Sequence, residues 1–150
     1  MVNFSHCKIT AIKANYNFSV PTDIAIDRLK LTKSDIVLAS DLVYYSEERA
    51  IGYSFIQIPT EVLSLMNIDV SNEEAIYDLV TKTIYEDIPS QEISVKLVFS
   101  NESESQFLAI QEEEPLLLIE TIFYNHTHEP FARCKFYFRP EYYKIKYLLS

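Results

Sequence analysis

Apolar residues near the start of the chain recur with a period typical of a strand and then of a short helix. The alternating stretch 6–16 predicts a strand, and Pro21 follows it. Thr22 or Asp23 can then cap a short helix that runs to Leu29, because a side-chain oxygen satisfies an otherwise unpaired backbone amide. The sequence therefore predicts a strand followed by a capped helix.

Two pairs of apolar runs, each joined by a polar turn, predict two β-hairpins. The first pair is 35–45 and 50–58, and it is joined by residues 46–49. The second pair is 115–124 and 130–138, joined by a turn that contains two histidines. Valine, isoleucine and aromatic residues are frequent in all four runs, as expected for half-buried sheet.

Further elements are predicted between and after the hairpins. Pro59 begins a helical turn, and a longer helix runs from Asn72 through about Tyr85. The runs 93–99 and 142–149 predict two more strands. The elements together predict a single domain of class α+β over residues 1–150, an antiparallel sheet with helices packed against it.

Residues 29–45 of the first half recur in the second half at an offset of 79 residues, and a polar turn and an apolar strand follow in both halves. The run 29–38 falls on 108–117, and the helix that ends at Leu29 has a counterpart that ends at Leu108. Ser100 or Asn101 can cap this second helix. The match is one of residue class and order rather than identity. It predicts an internal pseudo-twofold repeat, with a ligand site where the two halves meet.

Composition narrows the function classes. Gly52 is the only glycine, which excludes glycine-rich phosphate loops. A net charge of −9 argues against direct binding of nucleic acid by this segment. Cys7 and Cys134 are too few for a disulfide framework. The sequence shows neither a signal-peptide pattern nor an apolar run of membrane-spanning length, and we expect a cytoplasmic globular domain.

Four segments carry a resemblance to a known family. They are the apolar run 115–124, the turn Glu129-Pro130-Phe131, the aromatic-Arg run 137–143, and Ala75-Ile76-Tyr77-Asp78-Leu79 in the central helix. Together they resemble the UTRA domain, the effector-binding module of HutC-type GntR-family transcription regulators, which has a chorismate-lyase-like fold. The resemblance covers roughly residues 9–149.

The resemblance implies a binding function rather than catalysis, with no cofactor. In such proteins a small metabolite, often a sugar phosphate or another small acid, alters a homodimer whose N-terminal winged helix-turn-helix domains hold DNA. The chain opens almost directly on its first strand. We therefore expect an isolated effector domain, with the winged helix-turn-helix absent from this chain.

The sequence departs from the family pattern at positions that hold charged groups in many relatives. Residues 41–44 contain no arginine before the first hairpin turn, and Ser54 and Ala132 stand where relatives carry glutamate. Ala75 replaces the serine of the central-helix motif, while its tyrosine, Tyr77, is retained. These losses favour a less anionic and more apolar effector.

Six residues are candidates for contact with a ligand. Tyr77 offers a hydroxyl on the central helix, Arg133 offers a bidentate guanidinium, and the others are Tyr44, Ser54, Lys96 and Arg139. Each residue also fits a purely structural role: a tyrosine at the edge of the core, a cross-strand contact, a surface charge or an ion pair near the C-terminus.

The histidines and the glutamate pairs do not form a predicted site. His126 and His128 are one residue apart but lack further ligands in the pattern, and we predict no metal. Glutamate pairs fall in predicted turns and are expected to be solvated. Two alternatives to the sensor remain open: an enzyme related to chorismate lyase, and a dimerisation module with a vestigial pocket.

Overall fold

The computed structural model describes residues 8–142, and its frame is a six-stranded antiparallel sheet. The strands lie in the order β1-β2-β3-β6-β5-β4. Their bounds are β1 Ala11–Ser19, β2 Val37–Ser46, β3 Arg49–Pro59, β4 Ser90–Phe99, β5 Pro115–Tyr124 and β6 Pro130–Phe138. The central pair, β3 and β6, joins the two halves of the sheet.

Four short α-helices connect the strands: α1 Asp23–Leu29, α2 Thr60–Leu65, α3 Glu73–Thr81 and α4 Glu102–Leu108. The side chains of Thr22, Asn72 and Asn101 accept hydrogen bonds from first-turn amides of α1, α3 and α4. Short 3₁₀ turns cover Thr83–Tyr85 and Pro140–Tyr142. Within residues 8–142, no helix has the length and apolar character needed to cross a membrane.

The predicted α+β class and the antiparallel sheet are confirmed, and several bounds differ. The central helix is predicted to reach Tyr85, but α3 ends at Thr81 because Lys82 leaves helical geometry at φ −141° and ψ −64°. A 3₁₀ turn carries the chain on to Tyr85. The predicted last strand, 142–149, lies outside the described residues except for Tyr142, which belongs to a 3₁₀ turn.

Elements that correspond in the sequence repeat resemble each other locally. Each half has the order strand, helix, strand, strand, and α4 begins and ends at the counterparts of the first and last residues of α1. Lys30 and Ala109, which end these helices, share a left-handed conformation with φ of 55° and 53°. A pseudo-twofold relation between the halves in space stays a prediction.

Helices cover both faces of the sheet. On one, here called the α3 face, the largest apolar cluster packs α2, α3 and the turn Thr83–Tyr85 against the sheet; it includes Leu63, Ile76, Leu79, Ile84, Ile56, Phe136 and Phe138. On the other, the α1–α4 face, two smaller clusters are separate. One contains Leu108 of α4 and the other contains Ala25 and Leu29 of α1. Between the two clusters, β3 and β6 carry Gln57, Arg133 and Lys135 on this face, and this polar region is here called the gap.

Candidate functional site

A buried polar cluster lies within the core of the α3 face. The hydroxyls of Tyr44 and Ser54 are 3.1 Å apart, and Tyr85 and Cys134 lie beside them. The Tyr85 hydroxyl is buried and forms no hydrogen bond of regular geometry. Burial raises the pKa of Tyr44 to about 12 and raises the pKa of the Cys134 thiol strongly. Tyr44 and Cys134 therefore stay neutral near pH 7.

The gap on the α1–α4 face contains an almost fully buried arginine. Arg133 of β6 is 4% exposed, and its Nη1 donates a 2.9 Å hydrogen bond to Oε1 of Gln57. Nε2 of Gln57 in turn lies 3.5 Å from the hydroxyl of Thr22, the residue that caps α1. Burial lowers the pKa of Arg133, and the nearby Glu120 partly offsets this. Among the described residues, Gln57 is the only hydrogen-bond partner of this guanidinium.

Lys135 lies two residues along β6 and therefore on the same face as Arg133. Its side chain is half-buried and has no ion pair among residues 8–142. Burial, together with the neighbouring Arg133, lowers the pKa of the Lys135 ammonium. Glu120, opposite Lys135 in register, instead pairs with Lys96 at 3.7 Å.

An aromatic stack forms the α4 side of the gap. The ring of Tyr53 stacks on Phe107 of α4 at 4.3 Å between centroids and on Tyr137 of β6 at 5.7 Å. The Tyr53 hydroxyl donates to Oδ1 of Asp41. Burial, and then the Asp41 carboxylate, raise the pKa of Tyr53, while burial raises the pKa of Tyr137 to about 12. Both tyrosines therefore remain neutral donors.

The helix α4 also presents polar side chains toward the sheet. Glu104 is 6% exposed and Ser105 is 8% exposed, on the same side of α4 as the core residue Leu108. Within the described residues, the Glu104 carboxylate has no ion pair or hydrogen bond, and the Ser105 hydroxyl has no partner. Arginine, lysine, glutamate and tyrosine side chains thus share this face, which makes it a candidate site by its burial and charge.

The structure brings only some of the six predicted residues together. Arg133 and Lys96 lie on the α1–α4 face. Tyr44 and Ser54 contact each other as predicted, but they are buried in the core of the opposite face. Tyr77 of α3 is 41% exposed over β1.

The last two candidates, Tyr77 and Arg139, contact neither of these pairs of residues. The Tyr77 hydroxyl donates a 3.2 Å hydrogen bond to the carbonyl of Ile12. Arg139, at the far end of β6, pairs with Glu141 at 2.5 Å and lies over the ring of Tyr142. The site predicted at the seam of the hairpins therefore divides between the two faces of the sheet.

The cause of this division is a difference of one residue in the repeat after the hairpin turns. Val43 pairs with Tyr53, whereas its counterpart in the second half, Ile122, pairs with Arg133. Arg133 therefore corresponds to Tyr53 and not to Ser54, the residue with which the sequence repeat aligns it. Because strand neighbours point to opposite faces, one residue decides which site a side chain joins.

Sequence reasoning missed Gln57, Lys135 and Glu104 as site residues. For Lys135 a signal was present. Arg133 and Lys135 alternate with buried Ala132, Cys134 and Phe136, which marks a second, polar face on a central strand. For Glu104 the sequence contains no such signal, because a glutamate in the first turn of a short helix is ordinarily solvated.

The histidine pair of the second hairpin turn forms no larger cluster. Nε2 of His126 lies 3.3 Å from Asp87, and His128 stacks on the ring of Tyr124. Across residues 8–142, no three side chains of the metal-binding types converge.

Comparisons with known proteins agree with this architecture. The family model for the UTRA domain matches residues 16–144. The possible transcriptional regulator YydK from Bacillus subtilis is 18% identical, with a TM-score of 0.76 over 92% of this chain and 62% of its own. A GntR-family transcriptional regulator from Enterococcus faecalis is 16% identical, with a TM-score of 0.79 over 93% of this chain and 100% of its own.

A third solved structure is a GntR-family ligand-binding domain from Bordetella bronchiseptica. It is 11% identical, with a TM-score of 0.77 over 97% of this chain and 93% of its own. No curated protein matches the chain in sequence. The chain spans less than two thirds of YydK and the full length of the Enterococcus structure. With its family model matched over most of its length, the chain belongs to the UTRA domain family, the effector-binding domains of transcription regulators.

Proposed function

We propose that the α1–α4 face is the effector site and that it binds the acid group of a small metabolite through Arg133 and Lys135. The burial of Arg133 against a neutral partner carries the proposal. A guanidinium with five donors uses one of them here, for Gln57. Burying a cation without a counter-charge is costly, so an anionic ligand would relieve this cost.

The other two cations of this face are already paired. Arg28 lies 3.8 Å from Glu92, and Lys96 lies 3.7 Å from Glu120. This leaves Arg133 and Lys135 as neighbouring cations on β6. Two cations on one face suit a carboxylate or a phosphate, for which Arg provides a bidentate fork and Lys a point charge.

The ligand class proposed here differs from the one that the sequence favours. The absence of arginine from residues 41–44 favours a less anionic effector. Arg133 and Lys135 place cationic groups on the central strand instead, at positions outside that comparison. The effector in this proposal is a small acid, bound without catalysis or cofactor.

In this proposal, ligand binding is transmitted through the two helices that contact the site. α1 reaches it through Thr22, which contacts Gln57, and α4 reaches it through Phe107, which stacks on Tyr53. A ligand that contacts both helices would favour one spacing between them. In the proposed role, a separate winged helix-turn-helix domain reads DNA, and this spacing sets its geometry.

The homodimer implied by the family is part of the proposal, and β4 is the surface that suits it. This edge strand exposes four apolar side chains on one face: Ile93, Val95, Leu97 and Phe99. A free antiparallel edge is complementary to a second copy of itself about a twofold axis. Sedimentation should show a dimer that Leu97→Glu disrupts and that Leu65→Glu, on exposed α2, leaves intact. A monomeric wild-type chain would contradict it.

Thermal-shift screening tests the effector site. A panel of phosphosugars, organic acids and amino-acid derivatives should contain an acid that raises the Tm, because a ligand that binds only the folded state stabilises it. Arg133→Gln and Lys135→Gln should abolish the shift. Arg139→Gln, which removes the same charge at the other end of β6, should retain it. Equal shifts in all variants would place the site elsewhere.

The enzyme alternative is tested directly by assaying chorismate turnover. The sensor role predicts no product above the uncatalysed rate. Product formation that Arg133→Gln abolishes would make the same face an active site instead.

A further inference from the structure

A buried glutamate without an ion pair lies on the α1–α4 face, and the proposed binding of an acid group does not involve it. Glu104 is 6% exposed, and its carboxylate forms no ion pair or hydrogen bond within residues 8–142. It lies on the buried side of α4, three residues before Phe107, whose ring stacks on Tyr53, and so it is on the same side of the sheet as Tyr53 and Tyr137. Glutamate is almost never this buried unless it is paired.

The fold itself does not require a carboxylate at this position. Ala25 is the counterpart of Glu104 in α1, and it is fully buried against the sheet. The same helix position is thus filled by alanine in one half and by Glu104 in the other. Alanine would also be the better helix former. An unpaired charge retained where alanine packs well indicates a ligand contact.

The surroundings of Glu104 suit a cation. The stacked rings of Tyr53 and Tyr137 lie beside it, and aromatic faces attract ammonium groups. The carboxylate of Asp41 lies at the Tyr53 hydroxyl. The face therefore has an acid-binding part at Arg133 and Lys135 and an anionic, aromatic part at α4.

We infer that the effector is a small zwitterion, with its acid group on Arg133 and an ammonium group between Glu104 and the aromatic stack. This inference rests on the proposed function and names the ligand class for it. Glu104 would supply the counter-charge that an ammonium needs when it leaves water. An acid without an amine would leave Glu104 buried and unpaired.

The spacing of residues along β6 gives the scale of the site, measured between backbone positions. Arg133, Lys135 and Tyr137 alternate along β6, with successive members of this set about 7 Å apart. Glu104 acts on Lys135 and Tyr137, one and two steps from Arg133. These positions are farther from Arg133 than the amine of an α-amino acid is from its own carboxyl group, because those two groups share one carbon. The inference therefore favours ω-amino acids over α-amino acids.

Calorimetric titration with matched ligand pairs tests this. The probes are 5-aminopentanoate and 6-aminohexanoate, each against the carboxylic acid of equal length without the amine. The variants are Glu104→Gln, which keeps the side-chain shape, and Glu102→Gln, an exposed control in the same helix. The amino acids should bind about tenfold or more tightly than the matched acids, and only Glu104→Gln should remove this preference.

The outcomes separate the two proposals. If the unsubstituted acids bind as tightly as the amino acids, or if Glu104→Gln keeps the preference, the zwitterion inference is wrong. The effector site then still stands, provided that Arg133→Gln abolishes binding. The inference is equally wrong if only other acids, such as phosphosugars, bind through Arg133. If no acid of any class binds in a manner that depends on Arg133, both proposals are wrong.

Discussion

Arg133 and Gln57 lie directly opposite each other on the two central strands, and the guanidinium donates a 2.9 Å hydrogen bond to the amide oxygen. The pair joins the two halves of the sheet at the floor of the α1–α4 face. Its partner atom is neutral, so the bond holds the side chain in place and adds no counter-charge to that of the nearby Glu120. The predictions below follow from this arrangement and from the buried groups around it.

The substitution Gln57→Glu should block acid binding while the domain stays folded. It gives Arg133 an internal counter-charge of nearly unchanged shape, so a ligand acid group would have to displace it. We expect acid affinity to fall about tenfold or more, measured by calorimetry with an acid that stabilises the wild type. A Gln57→Glu domain that is folded and binds the acid as tightly as the wild type would contradict this role for the Arg133 charge.

Removing the unpaired carboxylate of α4 should stabilise the domain. Glu104→Ala relieves a buried charge and raises helix propensity, and we expect a gain of about 1 kcal/mol in the free energy of unfolding. The Tm should then rise by roughly 2–4 °C. Glu102→Ala, on the exposed side of α4, is the control and should change little. A loss of stability in Glu104→Ala would show that the carboxylate has a structural role.

The two buried tyrosines of the α3 face should respond differently to loss of the hydroxyl. Tyr44→Phe removes the partner of Ser54 and should cost about 1 kcal/mol. Tyr85→Phe removes a buried hydroxyl that has no regular hydrogen bond and should be neutral or slightly stabilising. Urea unfolding of both variants measures the difference. Equal destabilisation would mean that the Tyr85 hydroxyl contributes as much as that of Tyr44.

Alkaline pH should destabilise the domain through its buried tyrosines. The folded-state pKa of Tyr44 is about 12, against 10.0 for an unperturbed tyrosine, because burial disfavours the phenolate. Above about pH 10 the unfolded chain loses the Tyr44 proton and the folded chain keeps it. The contribution of Tyr44 to the free energy of unfolding is therefore complete below about pH 10 and is lost as the pH rises toward 12.

The expected slope is about 1.4 kcal/mol per pH unit for one such group. Urea midpoints measured between about pH 9 and about pH 11 should show this decline. Tyr44→Phe should reduce the slope without removing it, since the pKa values of Tyr53 and Tyr85 are also raised by burial. A slope unchanged in Tyr44→Phe would exclude Tyr44 as a contributor.

Local patterns in the sequence predict most of the fold. Alternation and turn residues predict β5 and β6 with the bounds that the structure has, and the capping residues Thr22 and Asn101 predict α1 and α4. The end of α3 is not predicted, because Lys82 breaks the helix in a stretch without glycine or proline. Tertiary packing of Ile84 under the sheet overrides the local helical preference there.

The site is less predictable because it depends on which face a strand residue takes. The chemistry of Arg133 predicts a ligand contact, but the sequence repeat assigns it to the same site as Ser54. One residue of offset after the hairpin turns puts these two side chains on opposite faces. The same register shift follows Tyr44 in the first hairpin and Phe123 in the second, so the offset comes from the turns. Four residues separate Tyr45 from its partner Ala50, and five separate Tyr124 from its partner Pro130.

The central claim is that an acidic effector binds between α1 and α4. Amide NMR of the labelled domain, titrated with an acid that raises the Tm, tests this most directly. The account predicts that the largest shift changes fall at Gln57, at Arg133 and Lys135, and in α1 and α4. Changes centred instead on Tyr77 and on the residues of β1 and α3 around it would contradict it.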